Sequence, residues 1–142
     1  MRPLEKFLCL DRRDRRLLVR SACVVMAMRI GLWILPVHRV RRIAAWAGSA
    51  RRTSSGRLAA PRLAWAIDTA ARYVPGTTCL PQALAADFLL ARHGYSARFR
   101  IAVARVGPGR LTGHAWVESD GVVIGDADEY RDAPLQILGD DR

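Results

Sequence analysis

The sequence predicts an α+β fold: a helical N-terminal half followed by an antiparallel sheet packed on the last helix. Apolar residues recur at steps of three and four from Asp11 to Gly94, then at steps of two from Arg98. Helices first and strands afterwards is the order of an α+β chain with an antiparallel sheet. The chain has 142 residues, 51% of them hydrophobic, which is enough for a real core and too apolar for disorder.

The elements follow in order. Residues 11–35 read as one amphipathic helix, with Leu17, Leu18, Val24, Val25, Met28, Leu32 and Leu35 on its apolar side. Asp11 can cap its start and Pro36 closes it. Arg20 and Arg29 interrupt the apolar run, which argues against a transmembrane span or a signal peptide. Residues 37–47 read as a second helix, with Val37, Val40, Ala44 and Ala47 inward, and residues 48–56 as a polar break. Pro61 opens a third helix through Val74, with Leu63, Ala66, Ile67 and Ala70 inward. The stretch "GTTCLPQALAADFLLARHGY" gives a fourth, with Thr77 or Thr78 as cap and Gly94 as stop. In "ARFRIAVARV", Phe99, Ile101 and Val103 alternate with polar or small residues, as in a half-buried strand. "LTGHAWVE" and "VVIGD" flank "SDG" as a hairpin.

Charge is unevenly placed. Residues 1–75 carry 16 basic and 4 acidic residues, a net of +12, and residues 76–142 carry 7 and 9, a net of −2. The basic half could attract an acidic peptide, phosphate or a membrane surface, or could simply be a set of solvated helix faces. No glycine-rich phosphate loop is present, and nucleic acid is not an expected partner. The cysteines, Cys9, Cys23 and Cys79, form no CxxC and no Cys/His cluster. Neither a metal site nor a disulfide scaffold is expected, and a reducing cytoplasm fits.

Cys79 stands where the fourth helix opens. Free amide hydrogens and the positive end of the helix dipole favour thiolate there, and the same amides could hold the oxyanion of an acyl intermediate. Gln82, one turn on, is a further side-chain donor. A nucleophilic thiol needs a base. His38 lies among arginines, and His93 precedes the helix stop, where it reads as structural. His114, in "GHAWVE", has a small residue on each side and is the candidate. A three-residue loop Ser119-Asp120-Gly121 would set His114 across from Asp126, where the carboxylate could orient the ring. A two-residue turn would set Asp126 across from Ala115, on the other face. Asp128 shares the parity of Asp126 and stands in reserve.

The ordered set "TTCLPQALA", "GHAWVE" and "VIGD" resembles the transglutaminase-like leader peptidases of lasso-peptide biosynthesis, of the stand-alone type. The similarity is strong over residues 75–130 and looser over the basic, helical lead-in of residues 1–74, so residues 75–142 would form the papain/transglutaminase-like core. The resemblance implies Cys79 as nucleophile, His114 as base and Asp126 as orienter, with Gln82 and Trp116 at the oxyanion or substrate. It implies removal of the leader from a ribosomal precursor peptide, without cofactor, beside a separate leader-recognition protein and a macrolactam-forming cyclase. Acyl transfer by the same residues, or a non-catalytic basic peptide-binding adaptor, are the alternatives.

Overall fold

The computed structural model describes residues 2–50, 57–105, 107–125 and 136–137. Its helices are α1 (Pro3–Leu8), α2 (Arg12–Ile34), α3 (Val37–Ala50), α4 (Ala60–Tyr73) and α5 (Cys79–Arg92). Its strands are β1 (Arg98–Arg105), β2 (Leu111–Ser119), β3 (Val122–Ile124) and β4 (Gln136–Ile137). The sheet is antiparallel with order β3-β2-β1-β4. The predicted α+β class is therefore the observed one. Neither the six-residue α1 nor the two-residue β4 was expected from the hydrophobic pattern.

α5 is the hub. It touches α2, α3, α4, β1 and β2, and Ala83, Leu84, Ala86, Leu89 and Leu90 are fully buried along it. Burial of each leucine contributes roughly 1.5–3 kcal/mol. α2 begins as expected, with the Asp11 carboxylate accepting from the Arg12 amide at 2.8 Å. Leu17, Leu18, Val25 and Met28 are buried against the core. By length and composition α2 could also cross a membrane, but here it packs on α4 and α5. α4 turns Leu63, Ala66, Ile67 and Ala70 inward, as its periodicity requires.

α3 runs three residues beyond the predicted end, through Gly48 to Ala50. A Cβ at position 48 would lie 2.9 Å from the Phe88 carbonyl oxygen and 3.1 Å from the Ala91 Cβ. Gly48 is thus a close-approach residue between α3 and α5 rather than the start of a loop. The rest of the expected break, residues 51–56, lies outside the described residues.

One sheet face carries Phe99, Ala115, Val117 and Ile124, all buried with α5 in the main core. The alternate residues, Arg98, Arg100, Ala102, His114, Trp116, Glu118 and Val123, belong to the other face. There Ala102 and Trp116 are buried beside Val123.

The hairpin differs from expectation. Val117 pairs with Ile124, Glu118 with Val123 and Ser119 with Val122, so the loop has two residues, Asp120 and Gly121. Their φ angles are 50° and 75°, the left-handed pair of a type I′ turn. Gly121 takes the positive φ that was expected, but Ser119 stays in the ladder. Its hydroxyl donates to the Ser96 carbonyl at 2.8 Å and the residue is buried, which holds it in the strand. The register argument that set Asp126 across from His114 therefore fails. Among the described residues the paired ladder runs to Ile124, followed by Gly125 at φ 101°. Asp126 and Asp128 lie outside the described residues.

Candidate active site

Cys79 is the first residue of α5, half-buried at the margin of the core, whereas Cys9 and Cys23 are exposed. Thr78 is the N-cap, yet its side chain makes no capping hydrogen bond. The Thr77 hydroxyl turns back instead and donates to the Val74 carbonyl at 2.8 Å. Neither threonine thus caps as the sequence suggested. A capping oxygen would occupy a first-turn amide; among the described residues, neither threonine side chain does so.

Beside this helix start lies an open cleft of about 660 Å³, lined in part by Asp68, Thr77, Gln82 and Gly125. Gln82 Nε2 donates to Asp68 Oδ1 at 2.6 Å, across from α5 to α4. The Gly125 backbone faces the same carboxylate. Burial pushes the Asp68 carboxyl above the ordinary carboxylate range, and the bond from Gln82, the Gly125 backbone and the charge of Arg72 pull it partly back. Gly125 approaches β2 closely: a Cβ there would lie 3.3 Å from Trp116 Cβ and 3.5 Å from the Ala115 carbonyl oxygen. Asp68 thereby links the first turn of α5 to Gly125 at the end of β3. Sequence reading missed Asp68. The signal was there, since Asp68 is the lone acidic residue between Asp14 and Asp87 and borders an apolar stripe.

His114 is half-buried on β2. Its ring stacks on Trp116 at 5.8 Å between centroids, with the planes 25° apart. The Trp116 Nε1–H donates to Glu118 Oε1 at 3.0 Å, and Glu118 Oε2 pairs with Arg100 Nε at 3.1 Å. Arg100 and Glu118 therefore steady Trp116, and Trp116 steadies the imidazole. Trp116 is only 6% exposed, which suits ordering the ring better than contacting a substrate. By strand alternation His114 belongs to the face opposite Ala115, while Cys79 borders the core on the Ala115 side.

The other histidines separate clearly. His38 is exposed on α3. His93 is buried at the end of α5, where burial and the charges of Arg92 and Arg20 lower its pKa. Among the described residues, no group of three or more His, Cys, Asp or Glu could hold a metal ion.

The structure thus places a thiol at the start of a helix that packs on an antiparallel sheet, and a histidine on the second strand of that sheet, on its other face. The sequence profile of the transglutaminase-like superfamily matches residues 10–138, and the chain belongs to that superfamily. The match takes in both the helical half and the sheet. No curated protein and no solved structure matches significantly.

Proposed function

We propose that this chain is a cysteine peptidase that removes the leader from a ribosomally made lasso precursor peptide. The observation that carries the reading is Cys79 at a helix start whose N-cap side chain leaves the amides open, beside a polar cleft, in a member of the transglutaminase-like superfamily. The motif resemblance supplies the substrate class.

Cys79 Sγ attacks the carbonyl carbon of the bond joining leader to core, and the carbonyl oxygen becomes an oxyanion held by the first-turn amides and the Gln82 side chain. The Cys79 thiol proton passes to His114, which delivers it to the leaving amine as the C–N bond breaks. Water then attacks the thioester with His114 as base, releasing the leader as a carboxylate and regenerating the thiol. With the register argument gone, Asp126 is proposed as the orienter of His114 on the motif resemblance alone. Trp116 acts through the stack on His114.

The partners follow from the same reading. A separate leader-recognition protein docks on the basic half, and the cyclase acts on the freed core in the cytoplasm. In support, Arg12, Arg15, Arg16 and Arg20 line a shallow groove on α2. It adjoins, at Val19, an apolar groove of about 470 Å³ between α1, α2 and α4. Docking there weakens as salt rises.

The test is mass spectrometry of the precursor incubated with this chain and the leader-binding protein. The wild type yields leader and core, and Cys79→Ala yields neither. Near wild-type cleavage by Cys79→Ala contradicts the reading. An amide of the leader formed with an added amine would instead assign acyl transfer.

A further inference from the structure

We infer that Asp68 is a positioning residue of this site, holding Gln82 on the first turn of α5 and Gly125 at the end of β3 in one fixed arrangement. The inference rests on the reading of Cys79 as nucleophile and adds a residue from α4, the helix before it. Three observations support it. An Asp carboxylate has only acceptor oxygens, so the bond of 2.6 Å fixes the Gln82 side chain with its NH₂ group toward Asp68. One N–H of that group is engaged, and the second is held in a defined direction beside the helix start. The Gly125 backbone faces the same carboxylate and lowers its pKa, and Gly125 immediately precedes Asp126. Gly125 has φ 101°, a conformation L side chains rarely adopt, and a Cβ there would press to 3.3 Å from the Trp116 Cβ. The strand end is therefore pinned between β2 and Asp68. A carboxylate placed at the cost of partial burial, bonded by Gln82 and facing the Gly125 backbone, sets the spacing of the two elements.

The test is a double-mutant cycle on precursor cleavage, with Asp68→Ala, Gln82→Ala and both together. Each single variant lowers kcat by about 10- to 100-fold with KM within about twofold of wild type, as expected for a donor lost or misplaced in the transition state. The double variant is no worse than the worse single one. Asp68→Asn keeps an acceptor oxygen for Gln82 and recovers most of the rate. Should Asp68→Ala not fold, Asp68→Ser, too short to reach Gln82, replaces it. Iodoacetamide labelling of Cys79 proceeds at the wild-type rate in Asp68→Ala, so a failure of the cysteine reading shows separately, as cleavage that survives Cys79→Ala. Losses that multiply in the double variant, or an unchanged kcat in Asp68→Ala, overturn the inference.

Discussion

The two ends of α5 are built in opposite ways. At the C-terminus His93 is the cap, Gly94 takes φ 79°, the Gly94 amide donates to the Ala91 carbonyl at 3.0 Å and the Tyr95 amide to the Leu90 carbonyl at 2.9 Å. That is a complete Schellman closure, in which the last carbonyls are satisfied within the chain. At the N-terminus the N-cap side chain closes nothing, and a half-buried thiol and a polar cleft stand beside the first turn. A closed end serves the fold. An end left open beside a thiol costs stability, and the return is an environment suited to acyl chemistry.

Exchanging the roles of the two ends gives the predictions. The largest effect is expected at the open end: Cys79→Ala lowers cleavage on the order of 10³-fold or more, with the thermal midpoint unchanged within error. Closing that end is the second test. Thr78→Asp supplies a carboxylate to cap the first turn, raises stability by about 0.5–1 kcal/mol and lowers cleavage by about tenfold or more, because the carboxylate competes for the oxyanion's amides. Denaturant titration and a cleavage assay read the two effects. A stabilised, fully active Thr78→Asp would mean that those amides take no part.

Opening the closed end should do the reverse. Gly94→Ala forces a side chain into the left-handed region, with no neighbour within 4 Å to clash, so the expected loss is the backbone term alone, about 1 kcal/mol. Cleavage at a temperature well below the midpoint is unaffected.

The smallest effect is a pH dependence at the same end. The pKa of His93 in the fold lies below the ordinary 6.5, so the folded state binds that proton less readily than the unfolded chain. Stability from this group is full above 6.5 and is lost as pH falls through the lowered value. The carboxyls of Asp68 and Asp87 are raised by burial from 3.8, so their contribution runs the other way, present at low pH and lost as pH rises through the raised values. The difference in midpoint between wild type and His93→Leu isolates the histidine: it shifts in favour of His93→Leu on acidification below pH 6.5. A pH-independent difference would remove burial as the cause.

The closed end was legible because its signals are local. Gly94 after an apolar stripe, Asp11 before α2 and Pro61 at the start of α4 each act within a turn of their own position. Cys79 and His114 were legible as residue types in a pattern of elements. The features that were missed depend on contacts across the fold. Gly48 looked like a loop glycine because its reason is the Phe88 backbone on another helix. Asp68 passed unnoticed because its partners, Gln82 and Gly125, are 14 and 57 positions away. The hairpin misled for a subtler reason. "SDG" suits either a two- or a three-residue loop, and the bond from Ser119 to Ser96, which decides it, comes from a segment 23 residues earlier. One residue in that loop reversed the parity on which the place of Asp126 had been argued.

The central claim, that the start of α5 acts on its cysteine, is tested most directly by competition among the three thiols of the folded protein. Exposure alone ranks Cys9 and Cys23 above the half-buried Cys79. Substoichiometric iodoacetamide at neutral pH, followed by peptide mapping, should find Cys79 labelled first, because the helix start outweighs its lower exposure. Labelling of Cys9 and Cys23 ahead of Cys79, in the order of exposure, would contradict the account.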